Sequence, residues 1–171
     1  MVGSIQSKRN DWLRLDDAGL LRDCVEERYR ASGPGGQRRN KVETAIRLHH
    51  EPSGVVSQAE DSRSLAENRK RALRRLRERI AIEGREPMDL ESPILPHEVH
   101  WQIKGDGQLT VNPRNAVYPL IIATVLDALA AADGSYAKAG RALGVTTSQL
   151  IRFLRADRQL ERALDIMRAR R

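Results

Sequence analysis

The chain has 171 residues, 40% of them hydrophobic and 31% charged, with a formal net charge of +7. That length holds one ordinary domain or two small ones, with enough apolar content for a compact core. Excess positive charge with only 4% aromatic residues favours a phosphate-rich partner, RNA or DNA, over a purely protein one. Residues 1–11 lack the apolar core of a secretion signal, and Cys24 has no second cysteine to pair with. The most apolar run, Tyr118 to Ala132, contains Asp127 and is short for a bilayer span of about 20 residues. A cytoplasmic location with no membrane role is expected.

In chain order, Asp16 or Asp17 caps a short helix through Leu20, Leu21 and Cys24, and Val25 to Ala31 has the make-up of a strand. A glycine-rich loop follows. Ala45 to His49 alternates apolar and polar residues, and Gly54 to Ser57 continues as a second strand after a Pro52-Ser53-Gly54 turn, which predicts a hairpin. Ser62 to Ile80 reads as a long helix with Leu65, Ala72, Leu73, Leu76 and Ile80 on one stripe and arginines elsewhere. Pro87, Pro93, Pro96 and Pro113 break up the next stretch. A small hairpin is expected there, Trp101 to Lys104 with Gln108 to Val111, turning on Gly105-Asp106-Gly107. Tyr118 to Ala132 reads as an apolar helix, then Ser135 to Leu143 and Thr147 to Leu154 as two short helices around Gly144-Val145-Thr146, the spacing of a helix-turn-helix.

Charge follows the same divisions. Arg28 to Arg79 holds 14 Lys/Arg against 6 Asp/Glu, Gly84 to Ala137 holds 3 against 7, and Lys138 to Arg171 holds 9 against 3. The expected organisation is residues 1–83, a connector over 84–115, and a helical module over 116–171. The bland reading of the arginine run in the long helix is a solvated face. Beside a glycine-rich loop, and with few acidic residues in the segment, phosphate contact is the expectation instead.

The most informative run is Ser32-Gly33-Pro34-Gly35-Gly36-Gln37. Two glycines without Cβ let the main chain lie flat against a substrate, and Gln37 brings one backbone N–H and one neutral amide to that point. Arg30 to Gln37, then Asn40-Lys41, Ala45 to Leu48, Pro52 to Val55, Arg63-Ser64 and Asn68 together resemble the catalytic domain of class I peptide chain release factors and their ribosome-rescue relatives. Many members have His-Val where this chain has Arg38-Arg39, and Gln where Leu65 stands.

The resemblance implies an α+β fold, a small mixed β-sheet packed by a long basic helix and followed by the helical module. It also implies hydrolysis of the ester joining a nascent peptide to tRNA. Gly35, Gly36 and Gln37 are then the catalytic residues, with the Gln37 backbone N–H stabilising the oxyanion and its amide orienting water. RNA contact is expected from Arg30, Ser32, Arg38, Arg39, Asn40, Lys41, Arg63, Arg69, Lys70, Arg71, Arg74 and Arg75. The implied partners are peptidyl-tRNA and the ribosome, at the large-subunit RNA of the peptidyl transferase centre, with the protein a monomer.

No cofactor or metal is expected. His97 and His100 miss the i, i+4 spacing of a zinc protease, the Lys-Ser/Thr ending of a nucleotide-phosphate loop is missing, and no Ser-His-Asp or Cys-His set is visible. Only about 30 residues precede the motif, so codon-independent release fits better than stop-codon reading. Two other readings stay open. The 139–155 segment suits further RNA or DNA contact, as in a helix-turn-helix regulator, or a plain three-helix packing unit. The glycine-rich fold also suits a ribosome-binding protein without release activity.

Overall fold

The computed structural model describes residues 9–30, 44–103 and 107–169. It divides into two compact units, Asp11–Glu83 and the residues from Gly84 onward together with Arg9 and Asn10.

In the first unit the sheet is built from β1 (Cys24–Tyr29), β2 (Ala45–His50) and β3 (Val55–Ala59), in the order β1-β2-β3. Both pairings are antiparallel, so the mixed sheet expected from sequence is corrected to a purely antiparallel one. The four-residue turn between β2 and β3 forces that pair to be antiparallel, since a parallel pair needs a crossover of a dozen or more residues, whereas the fifteen-residue β1–β2 connection permits either sense and leaves that pairing to the tertiary structure. Ile46, Leu48 and His50 alternate with exposed Arg47 and His49, the half-buried pattern read from the sequence.

The long helix α3 (Leu65–Glu83) lies against β2 and β3 and buries Asn68, Ala72, Leu73, Leu76, Ile80 and Ala81. The expected stripe is present except at Leu65, which is half-buried. Ser57 Oγ donates to the Ala72 carbonyl at 2.8 Å and fixes β3 on the helix. Two short helices precede the sheet, α1 (Arg9–Arg14), which the sequence pattern did not announce, and α2 (Asp17–Arg22). Asp16 is the cap of α2, its side chain accepting from Gly19 N at 2.7 Å.

His50 is fully buried at the end of β2. Its Nδ1 lies 2.7 Å from Ser53 Oγ in the β2–β3 turn, and the Trp12 ring meets it edge-on. Burial pushes the His50 pKa below the ordinary histidine value. Its neutral form therefore supports the fold, fully so above the unfolded value near 6.5 and progressively less as pH falls through the folded one.

The second unit opens on residues 84–96 without regular structure, then α4 (His97–His100). Among the described residues, the hairpin expected over 101–111 shows only an isolated Ile103–Leu109 bridge, and Lys104 together with the turn residues Gly105 and Asp106 lies outside the described residues. Trp101 N and Gln102 N donate to the carbonyls of His97 and Val99, so the backbone that was to form a strand continues a helical turn. Helix α5 (Tyr118–Ala131) is buried from Tyr118 through Leu129, as suits a helix apolar on all sides. Around it follow α6 (Tyr136–Leu143), α7 (Thr147–Arg155) and α8 (Arg158–Ala169), the last not anticipated from sequence. Among the described residues no helix is long and apolar enough to cross a membrane.

Asp127 carries a charge into that apolar helix. Arg9 answers it with two parallel bonds, Nη1 to Oδ1 at 2.8 Å and Nη2 to Oδ2 at 2.6 Å, and Glu86 N donates to Oδ1 at 3.0 Å. Both side chains are almost wholly buried, at 1% and 4% exposure. Removing one partner strands the other charge. Arg9→Ala is expected to lower unfolding free energy by about 3–5 kcal/mol in urea denaturation, and the double change Arg9→Met with Asp127→Leu to restore most of it. For His50, the thermal midpoint is expected to fall as pH drops below about 6.5, and that slope to flatten in His50→Gln.

Candidate functional site

Residues 30–44 connect β1 to β2. The stems of this connection are set by the sheet: Tyr29 and Ala45 are register partners, the last pair of the β1–β2 ladder. Gly35, Gly36, Gln37, Ser32, Arg38, Arg39, Asn40 and Lys41 lie outside the described residues. Arg30 is exposed at the β1 end.

A second fastening comes from α3. Asn68 is fully buried in its first turn, and its side chain makes three hydrogen bonds to two segments. Nδ2 donates to the Thr44 carbonyl at 2.7 Å and to the Ser62 carbonyl at 2.8 Å, while Oδ1 accepts from Ser62 N at 2.9 Å. One amide thus ties the β2 stem of the connection to the chain entering the helix. Sequence reading put Asn68 among the matching residues without giving it a role; a polar residue one helical turn before the buried Ala72 was the available signal.

The arginines of α3 are partnered, contrary to the sequence expectation that acidic residues are too few. Arg69 grips Glu26 of β1 with Nε to Oε2 at 2.7 Å and Nη2 to Oε1 at 2.6 Å, and holds the Glu26 carboxyl below its usual pKa. Arg75 donates to the Gln58 carbonyl at 2.8 Å and pairs with Asp61 at 3.0 Å, depressing the Asp61 pKa. Arg79 donates to the Val56 carbonyl and pairs with Glu83. These two arginines cover outward carbonyls of the edge strand β3, a position otherwise open to another chain.

Arg71 and Arg74 have looser i, i+4 partners, Glu67 at 3.7 Å and Glu78 at 3.8 Å. The exposed Arg71–Glu67 pair is worth under about 1 kcal/mol and yields readily to a phosphate, and Arg74, itself exposed, meets the mostly buried Glu78 carboxylate only at 3.8 Å. Arg63 and Lys70 are exposed, with no ion pair shown among the described residues. Phosphate contact by Arg69 or Arg75 requires breaking a good pair; contact by Arg63, Lys70, Arg71 or Arg74 does not.

Other reactive groups in the unit are occupied structurally. Burial raises the Cys24 thiol pKa to about 11, and its Sγ donates to the Leu20 carbonyl at 3.2 Å, so a thiolate nucleophile is not available near neutral pH. His50 and Ser53 form a bonded pair, but His50 has no exposed surface to offer a substrate. Among the described residues no three His, Cys, Asp or Glu side chains group as a metal site.

Comparison with known proteins adds identity to this geometry. Residues 21–99 match the RF-1 domain. The chain is 34% identical over 97 residues to peptide chain release factor 1 of Salinibacter ruber, covering 57% of this chain and 26% of that protein. It is 48% identical over 68 residues to peptide chain release factor 1 of Lacticaseibacillus casei, covering 40% and 18%. Against peptide chain release factor 2 of Campylobacter concisus it is 37% identical over 81 residues, covering 47% and 22%. The chain thus spans about a quarter or less of the length of these relatives. Residues 21–99, the segment holding the sheet, α3 and the glycine-rich connection, are similar to the RF-1 domain and to part of the peptide chain release factors.

Proposed function

We propose that the protein hydrolyses the ester bond of peptidyl-tRNA on the ribosome, without reading a codon. The observation that carries this reading is the position of Gly35-Gly36-Gln37 in the connection between β1 and β2, whose two ends are fastened by the Tyr29–Ala45 pair and by Asn68. A catalytic backbone needs such fastening, because a donor misplaced by about 1 Å forfeits much of its effect.

In the reaction, water attacks the ester carbonyl and negative charge gathers on its oxygen. The Gln37 N–H donates to that oxygen and stabilises the transition state more than the ground state. The side-chain amide of Gln37 does not titrate near neutral pH, so it orients the water and does not remove its proton. Proton transfer and positioning of the ester then fall to ribosomal RNA and the tRNA. Arg63, Lys70, Arg71 and Arg74, together with Arg38, Arg39 and Lys41 of the connection, supply the phosphate contacts that hold the domain in place. Arg69 and Arg75 act within the fold, shaping the surface from which the others reach.

The protein is expected to release peptide from ribosome-bound peptidyl-tRNA and to leave free peptidyl-tRNA nearly untouched; equal hydrolysis of both contradicts the proposal. Gly36→Val is expected to slow release about 100-fold or more while ribosome affinity stays within about threefold. For the fastening, Asn68→Ala leaves three backbone groups unsatisfied. It should reduce unfolding free energy by about 2–4 kcal/mol in urea titration and slow release under conditions where the variant remains folded.

A further inference from the structure

The second unit carries positive charge of a different kind from that of α3. Between Lys138 and Ala156 there are four cations, Lys138, Arg141, Arg152 and Arg155, and no carboxylate. All four are exposed, and among the described residues no ion pair involves them. Where the arginines of α3 are largely consumed inside the fold, these face solvent without counter-charge.

Their scaffold is specific. Helix α6 ends on Gly144 in the left-handed conformation, φ 70°, with Val145 N donating to the Gly140 carbonyl at 2.9 Å and Gly144 N to the Arg141 carbonyl at 3.2 Å. That double closure stops α6 and redirects the chain within three residues. The turn then folds back against α6 so closely that a Cβ on Gly140 would sit 3.0 Å from the Val145 carbonyl oxygen. Thr146 caps α7, accepting from Gln149 N, and Gly107 O accepts from Thr146 N on the other side of the turn. Leu150, Phe153 and Leu154 anchor α7 in the core. This leaves one face of α7 open, with Ser148, Ile151, Arg152 and Arg155 bordering a shallow groove of about 580 Å³.

We propose that α6, the turn and α7 form a helix-turn-helix that binds double-stranded DNA, with α7 in the major groove. A helix with its side chains is about 10–12 Å across, which matches the roughly 12 Å major groove of B-form DNA. The major groove of A-form RNA is too narrow to admit it. Thr147 and Ser148 at the start of α7 supply hydroxyls for base edges, Ile151 an apolar contact suited to a thymine methyl, and Arg152 and Arg155 the guanidinium groups for guanine edges or phosphates. This activity stands apart from peptide release, since it uses other residues in another compact unit.

The test is fluorescence anisotropy of the full chain against a mixed-sequence DNA duplex of about 25 base pairs, the same sequence as an RNA duplex, and purified ribosomes. The expected result is DNA binding at least tenfold tighter than RNA-duplex binding. Charge reversal at two exposed positions, Arg152→Glu with Arg155→Glu, should weaken DNA binding at least tenfold while leaving ribosome-dependent release unchanged. Lys70→Glu should leave DNA binding unchanged. Selection from randomised duplexes is expected to yield a preferred sequence that shifts in Ser148→Ala. Equal affinity for the two duplexes, binding to ribosomes alone, or DNA binding indifferent to the double reversal would each overturn the proposal.

Discussion

A single buried amide holds the first unit to its purpose. Asn68 sits where α3 begins, and its three short hydrogen bonds reach both Thr44 at the stem of the glycine-rich connection and Ser62 on the approach to the helix. Buried polar groups are tolerated only when satisfied, and once satisfied they admit few alternative arrangements. The start of the helix and the β2 stem are therefore not separately adjustable. The apolar contacts of Ala72, Leu73, Leu76 and Ile80 press the helix onto the sheet, but apolar contact is non-directional. Asn68 supplies the register.

The same helix shows why a count of charges is a poor guide to what charges do. Arg69 reaches across to β1, Arg75 and Arg79 reach to the edge of β3, and Arg77 reaches Asp17 and the Leu15 carbonyl. A guanidinium is well suited to this because it can join a carboxylate and a carbonyl at once. Some of the basic character that points to a nucleic acid is thus internal reinforcement. Among the described residues, the cations left without a close partner there are fewer: Arg63 and Lys70, with Arg71 and Arg74 loosely held.

The second unit solves a different problem. Its central helix is apolar all round, so it must be enclosed, and α6 and α7 contribute to that enclosure with one face each while keeping the other polar and cationic. The buried Arg9–Asp127 pair is costly to desolvate and repays that cost through its bidentate geometry, the bond from Glu86 N, and the bonds Arg9 donates to the Gly84 carbonyl and Asn10 Oδ1. Such a pair fixes which segment of the chain lies against α5, a choice that apolar packing alone leaves open.

Much of this was legible in the residues themselves. The alternation of Ala45 to His49, the apolar stripe of α3, the cap at Asp16 and the glycine between α6 and α7 are local signals, and local signals survive because backbone preference and side-chain period act over a few residues. The glycine-rich motif was legible for the same reason. What only the tertiary structure decided involves partners distant in sequence: Asn68 bonding Thr44, Arg69 bonding Glu26, Arg9 bonding Asp127, and a fully antiparallel sheet where a mixed one was expected. The hairpin near Trp101 gave way because its backbone donors found helical acceptors at His97 and Val99. Sequence fixes which groups need a partner, whereas the choice of partner depends on distances that exist only once the chain has folded.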